Sequence, residues 1–250
     1  MTLAQLRTRT LQRLDEDTTS PVYWSAQEIH AALNEAQRVF VFLTLCLEKT
    51  GTLALSAATT FYHLRSTFSD FLLPLRVRVA STGAKVHPAR LQELDALDST
   101  WPSSAGTPVR YACLGFDFFA VYKQPAAPGT SLDVTYAHTP ATLAADGDTP
   151  EIPTEHHLTL IDYAIPRLRA KEGGQEFVKT LPLFGQFLDA ASKMAAYVRA
   201  RSLEARYDRL PFELSSYDRS RLIDPNQYMR FLKPWLVERR PEKQQPALVA

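Results

Sequence analysis

Residues 25–47 read SAQEIHAALNEAQRVFVFLTLCL and carry the most regular helical pattern in this 250-residue chain. Ser25 and Glu28 have the spacing of a capping box, in which each side chain accepts a hydrogen bond from the other residue's backbone N–H. Apolar residues then recur at steps of three and four, so they share one helix face. Other apolar residues lie off that face, and we expect neighbouring helices or other subunits to cover them. They are Val39, Val41, Phe42 and Leu45.

A shorter helix is predicted before this one. Thr2 and Gln5 also have capping-box spacing, and a stripe of leucines follows them. The long second helix is expected to end near Lys49 and Gly51, because a cation and then a glycine commonly end a helix. The leucine stripe consists of Leu3, Leu6, Leu11 and Leu14.

Two further helices are predicted in the second half of the chain. The helical pattern resumes at Thr154 and contains Pro166, which should kink the helix or remove one hydrogen bond. The pair of glycines at 173–174 is expected to end it. Another apolar helical pattern runs from about residue 183 to residue 207.

Between the helices, from about residue 52 to residue 140, the apolar period changes to alternation. Leu75, Val77 and Val79 alternate with arginines, which is typical of half-buried strands. Turn signals separate several such runs, and this predicts antiparallel strands joined by hairpins in a small sandwich or barrel. One helical turn is predicted within this part, at about residues 88–97.

Together these patterns predict an α+β fold. A helical bundle, made of an N-terminal helix pair and two later helices, carries an inserted antiparallel β-sandwich or barrel and an extended C-terminal arm. The predicted helical domain comprises residues 1–51 plus 154–209. The inserted β domain comprises 52–153, and the arm comprises 210–250.

Composition limits the classes of function. Lysine and arginine total 28, aspartate and glutamate total 27, and the formal net charge is +1. This balance argues against binding a polyanion through overall charge, although it permits a local basic patch. Two cysteines form no disulfide framework beyond a single bridge and favour folding in a reducing cytoplasm. The N-terminus lacks a signal-peptide pattern, and no apolar run reaches the ~20 residues that cross a bilayer, so we expect a soluble protein without a membrane partner.

Enzymatic motifs are weak throughout the sequence. The glycine pair at 173–174 follows a predicted helix rather than a strand, so it does not indicate a phosphate loop. His156 and His157 are adjacent, which points their side chains about 100° apart on a helix and favours exposed histidines over a metal pair. Asp146 and Asp148 lack the full spacing of a calcium loop and favour a tight turn. We predict no catalytic, cofactor-binding or metal-binding residues.

The last 41 residues have a distinct composition. Residues 210–250 contain five prolines among large apolar and aromatic side chains, without a sustained period. A disordered tail normally lacks such aromatics, whereas an extended arm uses them as anchors on another surface. Mixed arginines and acidic residues fit a protein interface better than a nucleic-acid site. A solvated helix face with a flexible tail is the simpler alternative. The candidate interface residues are Phe212, Tyr217, Arg219, Arg221, Tyr228, Phe231 and Trp235.

Several short motifs follow one another in a specific order. They are W-S-x-x-E-I-x-x-x-L-N-E-A-Q from Trp24, GTPVRY at 106–111, FAVYKQP at 119–125, LDVTY at 132–136, LIDYA at 160–164 and KEGGQ at 171–175. In this order they resemble the adaptor, or head-to-tail connector, proteins of tailed bacteriophages. The resemblance covers roughly residues 1–205, and the arm matches no family pattern.

The resemblance implies a non-enzymatic virion protein without cofactors. Such adaptors form a ring, expected to be twelve-fold, that joins the portal to the tail and extends the DNA channel. The implied partners are copies of the same chain, the portal protein, a downstream tail protein (nozzle, tube or terminator) and DNA passing non-specifically through the lumen. The helical part is expected to contact the portal and neighbouring subunits, and the β part the next tail component. The protein would fold in the host cytoplasm and reside at the head–tail interface of the virion.

Two other functions stay open at this point. In the first, Trp101, Tyr111, Phe116 and Tyr122 would form the aromatic platform of a carbohydrate-binding β-sandwich module on a host-recognition protein. The shared parity of Phe116, Phe118 and Tyr122 favours a core face instead. The second is a hydrolase with an unrecognised site, which the missing motifs disfavour.

Overall fold

The computed structural model describes residues 1–115 and 117–204, with side chains described through residue 199. Within these residues the chain is an α+β protein with six α-helices and one curled seven-stranded sheet. The helices are α1 (Leu3–Leu14), α2 (Ala26–Thr44), α3 (Leu64–Thr67), α4 (Leu91–Leu97), α5 (His157–Arg169) and α6 (Gly174–Glu204). The strands are β1 (Glu48–Ala54), β2 (Phe61–His63), β3 (Phe71–Val79), β4 (Lys85–Pro88), β5 (Arg110–Leu114), β6 (Phe118–Tyr122) and β7 (Ser131–His138).

Both predicted capping boxes are present. The Thr2 hydroxyl accepts a hydrogen bond from the Gln5 N–H at 3.4 Å, and the Gln5 side chain accepts one from the Thr2 N–H at 3.0 Å. Ser25 and Glu28 make the same reciprocal pair at 3.2 and 2.9 Å. A hydrogen bond from Lys171, together with those from Ser25, lowers the pKa of the Glu28 carboxyl to about 2. The start of α2 is therefore tied to the segment that follows α5.

Helix α2 ends at Thr44, earlier than predicted. Leu45 adopts a left-handed conformation with φ of 53°, and its N–H donates to the Val41 carbonyl at 2.7 Å. The residues expected to end the helix, Lys49 and Gly51, lie in strand β1 instead. The prediction was wrong because a non-glycine residue rarely adopts this conformation, so the sequence carries no signal for it.

Helices α1, α2, α5 and α6 pack on one another. Helix α5 contacts α1, α2 and α6, and α2 contacts α1 and α6. The Phe187 ring of α6 lies 6.0 Å from the Phe40 ring of α2 and 4.9 Å from the Tyr163 ring of α5. The leucine stripe of α1 and most of the predicted stripe of α2 are buried, as their spacing predicts.

Helices α5 and α6 both continue through a proline. Pro166 lies inside α5 and Pro182 lies inside α6. An interior proline removes one backbone hydrogen bond, but both helices bury apolar residues on their neighbours, and this packing maintains them. Because α6 continues through Pro182, it begins at Gly174, well before the predicted start near residue 183. The expected break after α5 is confirmed at Gly173, whose φ of 115° suits glycine.

The strand order across the sheet is β1-β7-β3-β4-β5-β6-β2. Neighbouring strands pair antiparallel except β4 and β5, which are parallel, with His87 opposite Arg110. The prediction of antiparallel hairpins throughout was wrong at this pair. The chain between β4 and β5 forms α4 and a 3-10 turn at Trp101–Ser103, so it crosses over before it returns, as parallel pairing requires.

The curled sheet buries apolar residues on both of its sides. On the inner side the ring of Phe68 stacks on Tyr136 at 4.9 Å, and Tyr111 stacks on Phe119 at 5.1 Å. On the outer side, α4 and the 3-10 turn cover a smaller cluster. That outer cluster consists of Leu94, Trp101, Ala112, Ala120 and Tyr122.

Candidate interaction surfaces

The residues predicted to form an interface all lie outside the described residues. Their role stays a prediction. They are Phe212, Tyr217, Arg219, Arg221, Tyr228, Phe231 and Trp235.

Two half-exposed phenyl rings lie on the outer side of the sheet, at its β2–β6 edge. Phe61 is 48% exposed and Phe118 is 52% exposed. The register places His63 opposite Phe118 and Phe61 opposite Ala120, so these side chains share one face. We call Phe61, His63 and Phe118 the outer aromatic patch.

The rings of the outer aromatic patch are held by ring contacts. Phe61 meets the Trp101 ring edge-on, with centroids 5.8 Å apart, and His63 meets Phe118 edge-on at 5.2 Å. Trp101 is itself fixed, because its indole N–H donates to the Asp95 carboxylate at 2.8 Å. The patch is therefore a continuation of the buried outer cluster.

Charged groups border the outer aromatic patch. The Arg65 Nε lies 3.2 Å from one Asp117 carboxylate oxygen, and His63 Nε2 lies 4.0 Å from the other. An apolar centre with a polar rim is the usual composition of a protein–protein interface.

The predicted sugar-binding platform is not formed by the residues proposed for it. Trp101, Tyr111 and Tyr122 are all buried, and Phe116 lies outside the described residues. The prediction of a core face is confirmed for Tyr122, which packs in the cluster that α4 covers. It was wrong for Phe118, because α4 is too short to reach that end of β6.

The helices also present exposed apolar side chains. Phe42 on α2 is 65% exposed, whereas its neighbour Val41 is fully buried. Both residues lie off the predicted apolar face of α2. The described part of the chain covers Val41 but leaves Phe42 exposed. Val178 and Tyr197 on α6 are also exposed. Phe42, Val178 and Tyr197 are therefore the candidate contact residues of the helices.

The other half of the sheet's outer side is polar. The hydroxyls of Thr50 and Thr135 lie 3.0 Å apart, and Thr52 donates to Asp133 at 3.0 Å. Asp133 stands opposite Arg78 in the register of β7 and β3. Acidic and basic groups are therefore both present here, and this half of the face lacks the uniform positive charge of a polyanion site.

The two adjacent histidines serve structural roles. His157 is fully buried, accepts a hydrogen bond from the Met1 amine at 2.7 Å and contacts the Ile152 carbonyl at 3.0 Å. Burial lowers the pKa of His157. The His156 ring lies 5.1 Å from Phe40. The prediction of exposed histidines was wrong for His157, because the Met1 amine that it contacts lies 156 residues away in sequence.

The acidic pair at the turn after β7 also has structural partners. The Asp146 carboxylate accepts hydrogen bonds from Arg7 at 2.6 and 3.0 Å. Asp148 accepts from the backbone N–H groups of Ala144 and Ala145, each at 2.8 Å, which forms the predicted tight turn.

Among the residues with described side chains, no group of three or more histidine, cysteine or acidic side chains is placed to hold a metal ion. No described helix is long and apolar enough to cross a membrane.

Apolar surfaces on both the helices and the sheet, with polar groups that serve the fold, are typical of a structural component that assembles with other chains. The SU10 adaptor protein family matches residues 1–221. The match spans most of the chain, which therefore belongs to this family of bacteriophage head–tail adaptors. This confirms the resemblance found in the sequence, and it makes the protein a structural component of a phage virion. No curated protein matches the chain.

Proposed function

We propose that the protein forms a ring that joins the portal to the tail and extends the DNA channel. The family match over residues 1–221 carries this proposal. The ring is expected to be twelve-fold, with one chain for each portal subunit. Its neighbours along the axis are the portal protein on one side and a nozzle, tube or terminator protein on the other.

Exposed apolar side chains on the helices support a contact with other chains. Phe42 lies in the last turn of α2, next to the buried Val41, and it is 65% exposed. A contact between successive copies in a ring is heterologous, so it joins two different surfaces of the same chain. The helical part would contact the portal and neighbouring copies, and the β part would face the next tail protein.

The role is mechanical and non-enzymatic. DNA passes through the lumen without sequence reading, and strong phosphate contacts would slow its passage. Arginines on the outer side of β3 would then point away from the channel or face acidic groups. In the register of β3 and β7, Arg78 stands opposite Asp133.

The direct test is the mass of the purified chain mixed with a portal ring from the same genome, measured by light scattering. The expected result is a gain of about one chain per portal subunit. A monomer that does not change the mass of the portal ring would contradict the proposal. A monomer in the absence of portal would agree with it, since assembly can await the portal.

A further inference from the structure

The outer apolar stripe of the sheet extends beyond the helix that covers it. Ala120 and Phe118 are two residues apart on β6 and point to the same side. Ala120 is fully buried beneath α4, whereas Phe118 is 52% exposed. Phe61 on the neighbouring strand is also half exposed. The stripe is therefore only partly covered by this chain's described residues.

The rings at the uncovered end of the apolar stripe are already held in position. Edge-on contacts hold Phe61 against Trp101 and His63 against Phe118. Rings that are already fixed lose little conformational freedom when a partner covers them. Aromatic residues in such a position are the usual anchors of an interface.

The covering helix gives this surface a charge. Helix α4 and the turn after it contain Glu93, Asp95 and Asp98. Hydrogen bonds from Ser104 and Thr100 lower the pKa of Asp98, so this carboxylate stays ionised. The patch therefore has the acidic groups of α4 on its Trp101 side and the Arg65–Asp117 pair on its His63 side. The acidic side suits a partner that carries aromatic and cationic side chains together.

One segment of the chain has that composition. Residues 226–236 read NQYMRFLKPWL, with three aromatic side chains, two cations and no acidic residue. The segment begins more than twenty residues after the end of α6 at Glu204. That connection extends up to roughly 70 Å at ~3.3 Å per residue. It exceeds the ~17 Å radius of gyration of a domain of this size several-fold, so the segment can reach an adjacent copy.

We propose that residues 226–236 of one copy bind the outer aromatic patch of the neighbouring copy in the ring. The cations Arg230 and Lys233 would face the acidic α4, while Trp235 would cover Phe61 and Phe118. This contact is heterologous and closes around a ring. The inference rests on the proposed ring and names the surface that receives the arm.

Photo-crosslinking of the full chain on the portal ring tests the contact. p-Benzoylphenylalanine in place of Phe61 should crosslink to residues 226–236, and mixed isotope-labelled chains should show that the product joins two copies. The same probe in place of Val22, which is fully accessible on the α1–α2 loop, should give no such product. Crosslinks to the portal, crosslinks within one chain or none at all would overturn the inference.

A double-mutant cycle gives an independent test. Phe118→Ala and Trp235→Ala should each weaken assembly about tenfold, and the pair together should weaken it no further. A hundredfold loss would show independent sites and overturn the inference. Phe42→Ala combined with Trp235→Ala is the matched control, for which losses should multiply. If chains dock on the portal but show no coupling, the ring proposal stands and the inference falls; if no complex forms, both fall.

Discussion

The Phe61 ring lies edge-on against the Trp101 ring, with centroids 5.8 Å apart, and the two differ sharply in exposure. Trp101 is buried beneath α4, whereas Phe61 is half exposed at the edge of the sheet. A buried anchor thus positions an exposed ring. Buried residues such as Trp101 stabilise the fold, whereas exposed residues such as Phe61 are available for assembly.

Two phenylalanines of α2 should behave differently when shortened. Phe40→Ala removes a fully buried ring that contacts Phe187, and we expect a loss of about 3–5 kcal/mol in the free energy of unfolding. Phe42→Ala removes an exposed ring and should change stability by less than about 0.5 kcal/mol while it weakens binding to the portal ring. Urea denaturation and light scattering measure the two effects. A large loss of stability in the Phe42 variant would contradict the assignment of Phe42 to an interface.

A close approach between β1 and the inner core should make Gly51 intolerant of a side chain. A Cβ atom at this position would overlap the Phe68 ring, which is stacked on Tyr136. Gly51→Ala should therefore destabilise the protein by about 1–3 kcal/mol through overpacking. Gly147→Ala is the control, because a Cβ there meets no atom within 4 Å. Equal denaturation midpoints for the two variants would show that Phe68 moves aside freely.

The Asp70 carboxylate joins three parts of the β region. It accepts hydrogen bonds from Lys49 at 2.9 Å and from the Tyr136 hydroxyl at 3.0 Å. Burial alone would raise the pKa of Asp70, but these hydrogen bonds outweigh it and lower the pKa below its usual value. Burial and the contact with Asp70 raise the pKa of Tyr136 to about 12.

The lowered pKa of Asp70 predicts a stability that depends on pH. Its contribution is present above the ordinary carboxyl pKa and is lost as pH falls through the lower folded value. Asp70→Asn should thus lower the free energy of unfolding at pH 7 by about 1 kcal/mol, with a smaller difference at acid pH. Asp189→Asn, which breaks an exposed pair with Lys193, should have little effect. A difference that grows as pH falls would have the wrong sign.

Removal of the arm should separate folding from assembly. A chain that ends after residue 209 keeps every described helix and strand, so its thermal midpoint should stay close to that of the full chain. Its affinity for the portal ring should fall, because the aromatic anchors are lost. An unchanged affinity would show that the arm does not contribute to the interface.

Local signals predicted much of this fold, and contacts between distant residues account for the failures. The capping boxes and the leucine stripe of α1 depend on spacings of three or four residues and are confirmed. The parallel pairing of β4 and β5 depends on how the chain folds back, which alternation does not specify. The buried His157 and the exposed Phe118 likewise depend on what packs against them. The predicted interface residues after 210 lie outside the described part of the chain.

Electron cryo-microscopy of the portal mixed with the purified chain tests directly whether the chain forms a ring continuous with the portal. We expect a ring on the tail side of the portal, with one chain for each portal subunit and an open channel on the portal axis. Portal particles without added density, or chains bound around the outside without closing a ring, would contradict it.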